Sequence, residues 1–153
     1  MLEAFLKPSS VAVIGASREP GKVGHDVMAN ILKSGYAGKV FPVNPNAAEI
    51  EGLRCYRSIL DIPEPVDLTV VAIPAPLVPE VALESGKKGV KGLVVISAGF
   101  REIGPDGLMR EARLLETCQR YGMRLLGPNC LGLINTCLPI NASFASSMAL
   151  RGN

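Results

Sequence analysis

The stretch Ser10-Val-Ala-Val-Ile-Gly15, followed by the small-residue loop Ala16-Ser-Arg-Glu-Pro-Gly-Lys-Val-Gly24, decides the fold. A β-branched run that stops at glycine reads as a short strand. Val23, Val27, Met28, Ile31 and Leu32 then recur at helical spacing up to Gly35. The same alternation continues outward. Lys39-Val-Phe-Pro-Val43 is a second strand. Its Pro42 has no N–H for a ladder and belongs near the strand end or against a gap. Residues 50–56 read as irregular and 58–61 as one helical turn. Residues 67–73 form a third strand, and Leu77, Val78, Val81 and Ala82 mark a helix expected to end near Gly86. Residues 92–97 are a fourth strand. Leu108, Met109, Ala112, Leu115 and Cys118 then supply the apolar positions of a helix ending near Gly122. Residues 123–126 are a fifth strand, and 133–135 a short sixth.

Near-continuous apolar runs mark strands covered on both faces, as in a parallel sheet. Strands alternating with helices give right-handed βαβ crossovers. The fold class is therefore α/β, a Rossmann-like, open, doubly wound and mainly parallel sheet, expected in the order 3-2-1-4-5. The small, polar tail over residues 142–153 reads as a linker. The expected division is a domain over 1–145 and the start of a linker over 146–153, leading toward a further domain.

Composition agrees with one globular domain. The chain has 153 residues, 16 Lys+Arg, 14 Asp+Glu and a net charge of +2. It is 48% hydrophobic and 20% charged, which argues against disorder. A basic face for nucleic acid is not signalled, and no apolar run is long enough for a membrane helix. Cysteines stand at 55, 118, 130 and 137, without a CxxC pair and with His25 as the only histidine, so no metal site is expected. The chain reads as cytoplasmic, with reduced thiols.

In an open α/β sheet the ligand lies beyond the C-terminal strand ends. Here those ends are Gly15 to Gly24, Asn44-Pro45, Ile73-Pro-Ala-Pro76, Ser97-Ala-Gly-Phe100 and Gly127-Pro-Asn-Cys-Leu-Gly132. Small residues let backbone N–H groups approach a ligand. Gly21 to Gly24 precede a helix whose N-terminus attracts phosphate, and Lys22 adds a charge there. Arg18 is a second basic candidate. Two standard phosphate loops fail. A P-loop needs four residues between its glycines and a hydroxyl after Lys, whereas five residues separate Gly15 from Gly21 and Val23 follows Lys22. The dinucleotide fingerprint needs a second glycine where Ser17 stands, and a carboxylate where the second strand ends in Val43-Asn44-Pro45. Arg54 or Arg57 could still serve an NADP 2′-phosphate, so an NAD(P) module remains an alternative. Cys130 lacks a second histidine to activate it, and His25 reads as a helix-end residue rather than a phosphocarrier.

Together, Ser9-Ser-Val-Ala-Val-Ile-Gly-Ala-Ser17, Pro42-Val-Asn-Pro45, Ile73-Pro-Ala-Pro76, Val95-Ile-Ser-Ala-Gly-Phe100 and Gly127-Pro-Asn-Cys-Leu-Gly132 resemble the CoA-binding domain of the NDP-forming (ADP-forming) acyl-CoA synthetases. These enzymes are relatives of the succinyl-CoA synthetase alpha subunit. The resemblance implies a ligase domain that binds CoA and is not catalytic alone. It also implies a downstream domain bearing a phosphorylatable histidine and a nucleotide-grasp domain or subunit. By resemblance, Gly15, Ala16, Ser17, Gly21 and Lys22 meet phosphate, and Asn44 and Pro45 lie near the nucleotide portion. Ile73 and Pro74 flank the ligand, Ser97, Ala98 and Gly99 track the pantetheine, and Asn129 and Cys130 approach the reactive end. Asn46 departs from the lysine that many family members carry there. A CoA- or nucleotide-sensing regulatory domain of a protein acetyltransferase is the other alternative the resemblance leaves open.

Overall fold

The structure, a computed structural model, describes residues 2–150. A short helix α1 (Glu3–Leu6) leads into β1 (Ser10–Ile14), α2 (Val23–Lys33) and β2 (Lys39–Val43). A two-stranded ribbon, β3 (Glu49–Ile50) with β4 (Leu53–Arg54), and a 3-10 turn (Ile59–Asp61) connect to β5 (Leu68–Val71). Then come α3 (Val78–Lys88), β6 (Gly92–Val95), α4 (Pro105–Arg120) and β7 (Arg124–Leu126), and last the ribbon of β8 (Gly132–Asn135) and β9 (Ile140–Ser143).

The five-stranded sheet is parallel throughout, in the order β2-β1-β5-β6-β7. Counted along the chain this is 2-1-3-4-5, which corrects the expected 3-2-1-4-5. The reason was present in Pro42. The expected order would seat β2 between two partners, where a residue without an N–H breaks a ladder. In the structure β2 is the outer strand, bridged on its free side only at Val43–Tyr56. All five residues of β1 are buried, as its central place requires.

Two apolar layers sandwich the sheet. Val11 and Val13 of β1, Val70 of β5 and Val94 of β6 pack against Val27, Met28 and Ile31 of α2, with Phe5, Ile140 and Ala142 beside them. Ala12, Ile14, Val71, Leu93 and Val95 point to the other face, against Ile59, Val78, Ala82, Leu114 and Cys118. Burial pushes the Cys118 thiol up to about 11, which keeps it an inert part of that layer.

Four further expectations change. The segment 50–56 is an ordered ribbon, because Cys55 N–H bonds the Ala48 carbonyl and Ile50 is buried in the same apolar cluster as α2. Helix α3 runs through Gly86 to Lys88, since the N–H groups of Gly89 and Val90 cap the carbonyls of Gly86 and Ser85. On α4 the line Gly107, Leu114, Cys118 faces the core, while Leu108, Met109, Ala112 and Leu115 are exposed. Gly107 fixes that face, since a Cβ there would stand 1.7 Å from the Phe100 carbonyl oxygen. The short sixth strand pairs antiparallel with β9, apart from the main sheet, and all four residues of β9 are buried. The tail therefore remains part of the fold through Ser143, and the end of the expected linker, residues 151–153, lies outside the described residues.

Candidate functional site

Helices that return strand ends to strand starts place their N-termini at the C-terminal strand edge. At that edge lies an open cleft of about 620 Å³, between β1 and β5, where the chain turns to β2 on one side and to β5 on the other. Two glycines make it. Gly15 turns out of β1 at φ +85°, and a Cβ there would stand 2.4 Å from the Ala72 carbonyl oxygen. A Cβ on Gly24 would stand 1.8 Å from the Gly15 carbonyl oxygen. Helix α2 thus starts against the β1 turn, closer than any side chain allows.

Lys22 is the N-cap of α2, and no side chain caps the helix. Its free N-terminal N–H groups, at Val23 and Gly24, therefore border the cleft. Lys22 pairs with Glu19 at 3.8 Å, but both side chains are largely exposed, so the pair is weak and leaves the ammonium available to an anion. Ser17 Oγ accepts the Glu19 N–H at 3.0 Å and fixes the loop. Asn44 ties two strand ends together. Its Nδ2 donates to the Ala16 carbonyl at 2.8 Å, and its Oδ1 accepts the Asn46 N–H at 2.8 Å. Ser97 Oγ donates to the Ile73 carbonyl, and the Ser97 carbonyl accepts the Asn129 N–H at 3.0 Å. Asn129 takes φ +55°, a left-handed conformation that asparagine tolerates.

Of the residues singled out in the sequence, Gly15, Ser17, Lys22, Asn44, Ile73, Pro74, Ser97, Ala98 and Asn129 line this cleft together. Pro45 lines a neighbouring cavity of about 380 Å³, which shares Gly15, Asn44 and Ile73 with it and has Arg57 on its rim. The others do not line the cleft. Ala16 is fully buried beneath the loop. Gly21 is exposed at φ +86° with nothing within 4 Å of a Cβ, whereas a Cβ on Gly24 would meet the Gly15 backbone; the close approach that the fold itself requires is at Gly24. The Gly99 N–H is taken by the Glu102 carboxylate, and its carbonyl by Arg110. Backbone donors, Gly99 first, hold Glu102 below the usual carboxylate range. Cys130 is half-buried with Sγ 3.3 Å from the Val95 carbonyl, and burial raises its pKa, which disfavours the thiolate. Arg18 lies outside the cleft, and Arg54 stacks over Tyr56. His25 faces carboxylates from both ring nitrogens, Asp26 at 3.2 Å and Glu51 at 3.9 Å, and does not border the cleft.

The sequence reading missed Phe144, which lines the cleft from the end of β9. The available signal was an aromatic residue directly after the alternating run Ile140-Asn-Ala-Ser143, but residues from 142 onward read as a linker by their small side chains. Among the described residues no group of three or more metal-ligating side chains comes together, and no helix is long and apolar enough to cross a membrane.

Residues 9–136, which carry every strand-end loop around this cleft, match the family model of the CoA binding domain. The chain belongs to that family. This CoA-binding domain is 47% identical over 155 aligned residues to the alpha subunit of acetate–CoA ligase [ADP-forming] I of Pyrococcus furiosus, covering 99% of the chain and 34% of the relative. It is 50% identical over 144 residues to acetate–CoA ligase [ADP-forming] II of Archaeoglobus fulgidus, covering 94% of the chain and 21% of the relative. A structure of the dinucleotide-forming acetyl-coenzyme A synthetase 1 of Ca. Korarchaeum cryptofilum, in complex with phosphate and ADP, superimposes with a TM-score of 0.96 at 42% identity, over 100% of this domain and 32% of that chain. The CoA-binding domain thus spans about a third or less of the length of the relatives it matches.

Proposed function

We propose that the cleft binds coenzyme A, and that the domain serves as the CoA-holding part of an acyl-CoA synthetase. The reaction of such an enzyme is acyl-CoA + ADP + phosphate ⇌ carboxylic acid + CoA + ATP. One observation carries this reading: the ends of all five parallel strands meet the start of α2 around one groove with no carboxylate at the end of β2. The free N–H groups at the start of α2 and Lys22 suit the diphosphate. The Asn44-Pro45 corner and the adjoining cavity suit the nucleotide end, and Ile73, Pro74, Ser97 and Ala98 offer an apolar track for the pantetheine. An extended ligand fits such a groove better than a compact triphosphate does.

His25, the single histidine of the sequence, does not border the cleft, so no histidine stands where it could relay a phosphoryl group from a ligand held there. Phosphoryl transfer then falls to a histidine-bearing domain and a nucleotide-grasp domain or subunit, consistent with relatives about three times longer. The test is titration calorimetry of the domain with CoA, dephospho-CoA, NAD and ATP. CoA should bind best, with a dissociation constant on the order of 10–100 µM, or roughly −5 to −7 kcal/mol. Saturation by NAD, with no heat from CoA, would overturn the reading in favour of a dinucleotide module.

A further inference from the structure

The chain has four phenylalanines. Phe5, Phe41 and Phe100 are buried, whereas Phe144 is 39% exposed and supplies the only aromatic ring among the residues lining the cleft. Leaving an aromatic ring in water forfeits much of the stabilisation its burial would give. The surrounding structure nevertheless fixes its backbone on both sides. Asn30, on α2, donates through Nδ2 to the Ser143 carbonyl and to the Ala145 carbonyl, each at 2.8 Å. The Ala145 N–H bonds Ser143 Oγ at 3.2 Å, and that hydroxyl donates to Asn141 Oδ1 at 2.5 Å. The Phe144 N–H reaches the Leu131 carbonyl at 3.4 Å, in the loop that carries Asn129. A fray at the end of a ribbon does not need a side-chain amide bridging the carbonyls before and after one residue.

We propose that Phe144 is an affinity-determining residue of the cleft, an aromatic wall against which the pantetheine arm of CoA packs, with Asn30 as its positioning residue. This rests on the CoA reading above. The assignment to the arm, and not to the adenosine bisphosphate end, follows from placement. Phe144 is hydrogen-bonded to the loop of Asn129, while Asn44 and Pro45 hold the opposite part of the groove, at the end of the edge strand β2. An amide-bearing aliphatic arm can cover an aromatic face that a phosphate cannot.

Calorimetry of the wild type, Phe144→Ala, Phe144→Leu and Asn30→Ala separates the outcomes, with CoA and adenosine 3′,5′-bisphosphate as probes. Phe144→Ala should weaken CoA by about tenfold, the loss of a partly buried aromatic contact, and leave the bisphosphate unchanged. Phe144→Leu should recover most of the loss, and Asn30→Ala should reproduce the CoA-only defect in a milder form. At 39% exposure the ring is far from fully buried, so Phe144→Ala should lower the thermal transition less than a core Phe→Ala change would. Equal weakening of both probes, or none of either, overturns the proposal while the CoA site stands. A wild type that takes up neither probe overturns the CoA reading and this inference with it.

Discussion

The two edges of the sheet carry depressions of similar size and opposite character. At the C-terminal strand edge the cleft of about 620 Å³ is walled mostly by backbone and small side chains, with the Phe144 ring and the Lys22–Glu19 pair. At the N-terminal edge a hollow of about 550 Å³ is walled by Glu3, Lys7, Asp67, Lys91 and Arg124. The second has more charge, five charged side chains against the Lys22–Glu19 pair of the cleft. Of these, the Asp67 carboxylate accepts the Ser9 N–H at 2.8 Å. Helix polarity separates the edges further. The helices start at the cleft edge and end at the other, where Lys33, Lys87, Lys88 and Arg120 stand in their last turns against the carbonyl ends. Volume and charge count therefore do not locate a phosphate site. In the proposed reading, the unpaired N–H groups at the start of α2 do.

The sharpest way to break this contrast is at the α2 contact. Gly24→Ala should cost about 3 kcal/mol of stability, because the new Cβ meets the Gly15 carbonyl and must push the helix off β1. Gly21→Ala, where a Cβ has open space but φ is +86°, should cost only about 1 kcal/mol. Chemical denaturation of both variants checks the ranking, and equal losses would mean that the close approach is not what the fold depends on.

A smaller effect should divide the edges by ligand rather than by stability. Lys22→Ala should weaken CoA about fivefold at low salt, with the difference shrinking as salt rises, as an exposed charge requires. Arg124→Ala, at the opposite hollow, should leave CoA affinity unchanged. Calorimetry at two ionic strengths reads both, and a matching loss in Arg124→Ala would erase the distinction drawn here.

The smallest effect belongs to the N-terminal edge alone. Burial, with the Asp67 charge adding to it, pushes the Tyr36 hydroxyl up to about 12, and the hydroxyl donates to the Pro8 carbonyl at 2.9 Å. A raised folded pKa means that this contribution is intact below pH 10 and is lost as pH climbs toward 12. Tyr36→Phe should cost about 1 kcal/mol at neutral pH and flatten that alkaline decline, with CoA affinity untouched. Thermal melts across pH 8–12 test the sign; stability rising with pH over that window would contradict it.

The fold class was legible because strands such as Val11–Ile14 and Val70-Val71 are apolar on both faces and helices separate them. The order of strands was not, except through Pro42, because periodicity says where an element is and not beside what it lies. The connection between β2 and β5 also lacks a crossover helix, its place taken by the β3–β4 ribbon and the turn at Ile59–Asp61. The cleft was legible wherever a strand end carried small residues. It was hidden at Phe144, because the stretch from 142 onward reads as a linker by composition, although packing of β9 against α2 is what demands residues as small as Ala142 and Ser143. Gly21 and Gly24 look alike in sequence. Only the helix path shows which of them faces a carbonyl.

Asn44 has an evolutionary consequence. A change of one base turns asparagine into aspartate, and an aspartate at the end of β2 would supply the carboxylate that a dinucleotide-binding sheet uses to hold a ribose. Here that step is blocked. Asn44 needs its amide nitrogen to donate to the Ala16 carbonyl while its oxygen receives the Asn46 N–H. A carboxylate would set an oxygen against that carbonyl and release the β1 turn from the end of β2. The mutation nearest to a new cofactor preference is also one that loosens the loop meant to receive it, so drift from one nucleotide ligand toward the other has no short path through this residue.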